Sequence, residues 1–191
     1  NLASISTKQK IVENVKKINK KGYHLITDPK QIDDWIKEAE EVGEVAVDTE
    51  TSSLDPHQAK LIGVSLCSRI GKACYIPIRH NSKKCINKDI VIQKLKPLLE
   101  DPSIKKIGQN IKFDFIVLFK NGINITSMED TMLMSYVLDA GKNRHNMDTL
   151  SQIHLNHKTI AFKELVGSGK KEINIREVDI EKAKDYTAED A

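Results

Sequence analysis

Three short patterns in this sequence place carboxylates where they could share a cation. The first is Asp48-Thr49-Glu50, which ends the apolar run Val45-Ala46-Val47. Side chains alternate along a strand, so Asp48 and Glu50 face the same way. Two like charges side by side raise each other's pKa unless something positive lies between them. A hard divalent cation such as Mg2+ supplies that charge, because it takes oxygen ligands and binds through a few carboxylates together with substrate phosphate. Two acids on a solvated strand end are the plainer alternative. The second pattern is Gly108-Gln109-Asn110-Ile111-Lys112-Phe113-Asp114 at an expected strand-to-helix junction. Asn110 and Asp114 share a helix face, and such a face at the end of a strand is a common ligand position in open sheets. Here the plainer alternative is an N-cap Asn and a solvated acid. The third is Tyr186-Thr187-Ala188-Glu189-Asp190, in which Tyr186 and Asp190 again share a helix face. A core Tyr beside a surface Asp would look the same.

Together the patterns supply four carboxylates, Asp48, Glu50, Asp114 and Asp190, from three separate elements. Four acids converging without cations are strongly unfavourable; two divalent ions balance them. Two ions about 3.5–4 Å apart clamp both the attacking and the leaving oxygen of an in-line phosphoryl displacement. Such chemistry needs no Ser or Cys nucleophile.

The elements that must position these residues can be read from periodicity and breakers. Tyr23–Thr27 is a short strand. Asp28-Pro29 caps a helix with Ile32, Trp35, Ile36 and Ala39 on its apolar face, ending at Gly43. Strands follow at Val45–Glu50, Leu61–Ser68 and Ala73–Ile78, the last two joined by a hairpin turn at Ile70-Gly71-Lys72. A helix is expected over Asp89–Glu100, a strand over Lys105–Gly108, a helix over Asn110–Lys120 and a short strand over Ile123–Ile125. Helices then dominate: Asp130–Leu138, Asp148–Leu155, one near Phe162–Leu165, and Ile180 to the end. Hairpin strands followed by βα alternation imply an α/β fold, a mixed sheet with helices packed on it.

Composition narrows the class further. The chain has 191 residues, 30 Lys plus Arg, 27 Asp plus Glu and a net charge of +3. That length suits one domain with an appendage. Residues 1–22 hold six Lys and one Glu, a local +5 that leaves about −2 for the remainder. They read as a basic amphipathic linker helix, with residues 23–191 as the globular domain. No run of about 20 apolar residues suggests a membrane span, so no membrane partner is expected. Cys67, Cys74 and Cys85 lack C-x-x-C spacing and are expected as reduced thiols. The absence of an initial Met and the stop at Ala191 within a helical pattern suggest a piece of a longer protein.

The three patterns in this order resemble the exonuclease motifs of the DEDD superfamily, in its tyrosine-bearing branch. More narrowly, Asp48-Thr49-Glu50-Thr51-Ser52-Ser53-Leu54-Asp55, Tyr75-Ile76-Pro77-Ile78 and Leu95–Asp101 resemble the 3′–5′ exonuclease domain of bacterial DNA polymerase I. So do Gly108–Asp114, Arg144–Asp148, His157–Ile160 and Tyr186–Asp190. The resemblance runs from about Tyr23 to Ala191 and implies a ribonuclease H-like sheet of five strands, three antiparallel and then parallel, flanked by helices. It implies a metal-dependent 3′–5′ exonuclease with two divalent ions, Mg2+ or Mn2+, and Zn2+ admissible at one site. The family's metal ligands fall on Asp48, Glu50, Asp114 and Asp190. In the family the first acid bridges both ions, the Glu and the last Asp hold the ion that activates water, and the second-motif Asp holds the other through water; the resemblance puts these roles on Asp48, Glu50 with Asp190, and Asp114. The family's water-positioning tyrosine falls on Tyr186. Contacts to the 3′-terminal nucleotides fall on Thr51, Leu54, Asn110, Phe113, Arg144 and Phe162, with Leu54 wedged between bases and Phe162 stacked on one. Phe113 stands where close relatives often carry Tyr, which removes one hydroxyl from that contact.

The partners so implied are a single-stranded or frayed 3′ end of DNA and an attached polymerase that the domain proofreads. A monomer in the cytoplasm, at a bacterial nucleoid, is expected. Two rivals share the motifs: an RNase D-like exoribonuclease, and a silent module that only binds strands or scaffolds a polymerase. Other candidates read as bland. His154 and His157 lack an acid to complete a zinc site and are expected at the surface. His24, His57 and His80 are isolated. Asp130 and Asp148 read as helix-start residues. Gly167-Ser168-Gly169-Lys170 lacks the Walker spacing and a preceding strand.

Overall fold

A mixed sheet carries the molecule, with six strands in the spatial order β1-β4-β3-β2-β5-β6. The structure is a computed structural model and describes residues 20–191. The strands are β1 (Tyr23–Leu25), β2 (Glu44–Thr51), β3 (Leu61–Arg69), β4 (Lys72–Pro77), β5 (Lys105–Gly108) and β6 (Met128–Asp130). As expected, β2, β3 and β4 pair antiparallel, and β5 and β6 add parallel strands beyond β2. The expected count of five strands is corrected to six. The additional strand is β1, which pairs parallel with β4 through Tyr23–Ala73, His24–Cys74 and Leu25–Tyr75.

The edge beyond β5 brings a second correction. Ile123 and Ile125 are buried, but Ile123–Ile125 forms no strand; the strand is Met128–Asp130. The Ile123 N–H donates to the Leu118 carbonyl, so that segment's backbone closes the preceding helix and is not free for a ladder. The basic helix expected over residues 1–22 lies outside the described residues, apart from a 3-10 turn at Lys20–Gly22.

Seven helices flank the sheet among the described residues: α1 (Pro29–Val42), α2 (Lys88–Glu100), α3 (Ile111–Lys120), α4 (Thr131–Asp139), α5 (Met147–Leu155), α6 (Phe162–Val166) and α7 (Ile180–Asp190). α1 starts at a capping box between Asp28 and Gln31 and stops at Gly43, whose φ of 79° suits glycine. Its buried Ile32, Trp35 and Ala39 join Val45, Val47, Val64 and Leu66 of the sheet. Val91, Leu95, Leu98 and Leu99 of α2, with Val117 and Leu118 of α3, complete that layer. On the opposite face, Ile62 and Tyr75 pack with Val166, Ile175, Val178 and Ala183. There α7 lies against β1, β4 and β3. Asp48, Ser65 and Tyr75 are neighbours in register across β2, β3 and β4. Asp48 therefore looks toward the α7 side while Val45 and Val47 look toward the larger core. No helix among the described residues is long and apolar enough to cross a membrane.

Candidate active site

β2 and α7 bring three acids together. One carboxylate oxygen from each of Asp48, Glu50 and Asp190 lies within 4.8 Å of the others. Beside Glu50 the pairing of β2 and β3 slips: Glu50 opposes Gly63, but Thr51 opposes Leu61. A bulge of this kind bends its strand and re-aims the neighbouring side chains.

Asp114 reaches the cluster by another route. β5 pairs with β2 only as far as Ala46, so the edge of β2 is open beside Thr49. There the Thr49 N–H and hydroxyl both donate to Asp114 Oδ1, at 3.0 and 2.6 Å. A side chain from the start of α3 thus takes the place of a missing strand neighbour. The turn into α3 runs through Asn110, which sits in the left-handed region at a φ of 59° and makes no side-chain cap. Its N–H donates to Asp130 Oδ1 at 3.1 Å. Asp130 also caps α4 by accepting from the Met132 and Leu133 N–H groups, as its sequence position suggested.

The electrostatics are those of acids held without a counter-charge. None of the ion pairs among the described residues includes Asp48, Glu50, Asp114 or Asp190. Burial raises Asp48 to about 6, against the pull of the Thr49 backbone. Burial, then the charges of Asp48, Asp190 and Asp114, hold Glu50 well above its ordinary value. Asp114 rises to about 8 through burial and the Asp48 charge, in spite of its two bonds from Thr49. Asp190 also rises to about 8 through burial and Asp48, while a hydrogen bond from Tyr186 pulls it down. Burial, Asp190 and Glu50 raise the Tyr186 phenol, so it stays a neutral donor. An all-oxygen donor set of buried and half-buried carboxylates, all with raised pKa values and no Lys or Arg among them, fits a hard divalent cation.

The acids lie in a cleft of about 1090 Å3. Thr51, Leu54, Asn110, Phe113 and Phe162 line it, as does Tyr186. Leu54 is 96% exposed, with its apolar side chain standing free at the rim. The Phe162 ring lies 5.9 Å from that of Tyr186. Arg144 is the expected contact that does not line the cleft; it is exposed in the segment between α4 and α5. Gly167, Ser168 and Gly169, set aside as a phosphate loop, form part of the far wall.

Several residues around the site were not foreseen. Alternation points the Thr49 side chain away from Asp48, and nothing in the sequence marks its free N–H. His157 is not a plain surface residue: its Nε2 lies 3.0 Å from Oε1 of Glu189, whose side chain is 2% exposed. Asp148 accepts the Thr159 hydroxyl at 2.6 Å and is not the cap of α5. His80 is not isolated, because the Tyr75 hydroxyl lies 2.5 Å from its Nε2. Burial lowers its pKa to about 4. The three cysteines are free, as expected.

Comparison with known proteins agrees with this geometry. The DNA polymerase I of Pseudomonas aeruginosa is 41% identical over 175 residues, covering 88% of this chain and 19% of the relative. That of Rhizobium leguminosarum is 41% identical over 191 residues, covering 89% and 19%. The chain therefore spans about a fifth of the length of these relatives. Among solved structures, Brucella melitensis NrnC superposes with a TM-score of 0.61 at 27% identity, over 78% of this chain and 66% of its own. Its form with bound Mg2+ gives 0.56 at 26% identity over the same shares. The catalytic core of RRP6 from Trypanosoma brucei has a TM-score of 0.67 at 15% identity, over 87% and 42%, and shows the fold alone. The sequence model of a 3′–5′ exonuclease domain matches residues 23–191, and the chain belongs to that family.

Proposed function

We propose that this domain removes nucleotides from the 3′ end of single-stranded or frayed DNA by hydrolysis with two divalent metal ions, proofreading for an attached polymerase. The observation that carries the reading is the acid cluster itself. Three carboxylates meet within 4.8 Å, Asp114 is held against Thr49 beside them, and the cleft they share has apolar side chains suited to bases. Asp48 is assigned to both ions, Glu50 and Asp190 to one, and Asp114 to the other. Mg2+ or Mn2+ suits the oxygen donors, with Zn2+ admissible at one site. When bound, such ions polarise the scissile phosphate, lower the pKa of water and stabilise the leaving oxygen.

The remaining roles belong to the chain's own groups. Tyr186 keeps its proton and, hydrogen-bonded to Asp190, orients the attacking water together with Glu50. Water attacks phosphorus and the 3′-oxygen leaves, so no covalent enzyme intermediate forms. Leu54 wedges between the terminal bases and Phe162 stacks on one, a mode that tolerates any sequence. Thr51, Asn110 and Phe113 grip the terminal nucleotides inside the cleft, and Arg144 meets the strand outside it. The DNA polymerase I relatives support DNA as the substrate and a polymerase as the attached partner. A monomer in the bacterial cytoplasm, at the nucleoid, fits the same reading.

Digestion of a 5′-labelled single-stranded DNA and of its RNA counterpart, with and without EDTA, tests the proposal. A ladder of 5′-labelled products shortened from the 3′ end, formed faster on DNA and abolished by EDTA, is expected. Preference for RNA supports the RNase D-like alternative, and EDTA-resistant cleavage removes the metal from the account.

A further inference from the structure

Glu189 precedes Asp190 in the last turn of α7, yet its side chain turns away from the acid cluster and is 2% exposed. It has no Lys or Arg partner among the described ion pairs. Its two oxygens are nevertheless both used. Oε1 meets His157 Nε2 at 3.0 Å, and Oε2 accepts the Ile160 N–H at 2.5 Å. The Glu189–His157 contact is a hydrogen bond donated by the imidazole when its Nε2 carries a proton.

Both donors lie in the segment that leads into α6, whose first residue is Phe162. That segment is tied to α5 as well. The Ser151 hydroxyl donates to the His157 carbonyl at 3.1 Å, and Thr159 donates to Asp148. The wall bearing Phe162 and the helix bearing Tyr186 and Asp190 are therefore fastened to each other through one buried carboxylate. A buried charge is a weak source of net stability, but two directional bonds fix a register.

We infer that Glu189 is a positioning residue that sets Asp190 and Phe162 relative to each other, and so couples metal binding to the grip on the 3′ end. The assignment rests on the exonuclease reading. Removing the carboxylate leaves the Ile160 N–H and the His157 Nε2–H without an acceptor. α7 and the Phe162 wall then lose the polar tie between them and keep only their apolar packing, and the effect reaches metal and substrate together.

Glu189→Ala, Glu189→Gln and His157→Ala test it by three readouts: Mn2+ titration calorimetry of metal-free protein, KM on a labelled single strand, and thermal melting. Glu189→Ala is expected to weaken Mn2+ binding at least tenfold and to raise KM at least fivefold. Glu189→Gln, whose amide oxygen still accepts the Ile160 N–H, should recover most of both. His157→Ala removes one donor, should shift both readouts about threefold in the same direction, and serves if Glu189→Ala does not fold. Variants whose Mn2+ affinity and KM stay within twofold of wild type, whatever their melting temperature, reduce Glu189 to a structural residue and overturn the inference. Wild-type protein that neither binds Mn2+ nor digests the strand fails the exonuclease reading itself, and the inference falls with it.

Discussion

Asp48→Asn removes the charge to which the other three acids respond. Glu50, Asp114 and Asp190 are each raised by it, and Asp48 itself rises from 3.8 to about 6, chiefly through burial. A carboxyl with a raised folded-state pKa contributes its full stability below the unfolded value and loses it as pH rises through the folded value. For Asp48 the loss runs from pH 3.8 to about 6. At 1.36 kcal/mol per unit it reaches about 3 kcal/mol against the metal-free fold at neutral pH. The repulsion that Asp48 exerts on its neighbours has a similar scale: two unit charges no more than 4.8 Å apart repel by about 3.5 kcal/mol or more at an effective dielectric near 20. In EDTA, Asp48→Asn should therefore match wild type at pH 4 and exceed it by about 3 kcal/mol at pH 7.5. Relief of Asp114 and Asp190 adds in the same direction. Saturating Mg2+ should reverse the order, since only the wild-type cluster gains from binding. Urea unfolding followed by circular dichroism at the two pH values, with EDTA or Mg2+, measures all four cases. An Asn variant less stable than wild type at pH 7.5 in EDTA would refute the burial penalty on Asp48 and its repulsion of the other acids, on which the site assignment rests.

Three further predictions follow from individual contacts. Tyr186→Phe keeps the ring against Phe162 but removes the hydroxyl, so kcat should fall on the order of 100-fold with KM within twofold; an unchanged kcat takes Tyr186 out of the chemistry. Leu54→Ala should leave the melting temperature unchanged, because Leu54 is 96% exposed. It should raise KM for single-stranded DNA about fivefold, the scale of about 1 kcal/mol from one base contact; an unchanged KM denies the wedge. In Gly63→Ala the new Cβ would run into the Tyr75 ring and hydroxyl, so chemical denaturation should show a loss of about 1–3 kcal/mol. A neutral result would mean that the ring can move off Gly63 freely.

The legible parts of the sequence were those set by periodicity and by spacing on a single element. Alternation placed Asp48 and Glu50 on one face, helical spacing paired Tyr186 with Asp190, and the Asp28 cap and Gly43 stop bounded α1. Ile123–Ile125 misled because an alternating pattern of buried Ile, exposed Asn and buried Ile looks the same whether it pairs in a sheet or closes a helix. The β1 strand was visible as a segment, but its membership in the sheet depends on β4 lying free at the edge. Tertiary bonds carried no local signal at all. Thr49 holds Asp114 from 65 residues away, and Glu189 meets His157 across 32. Each of these residues is unremarkable within its own segment, and only the fold brings the partners together.

We assign Asp48, Glu50, Asp114 and Asp190 to one metal-binding centre. Crystals soaked in Mn2+ and measured for its anomalous scattering test that assignment. One peak is expected in contact with Asp48, Glu50 and Asp190 and a second on the Asp114 side of Asp48, both absent from Asp48→Asn crystals. Mn2+ bound elsewhere, with no anomalous peak among these four carboxylates at saturating metal, would contradict it.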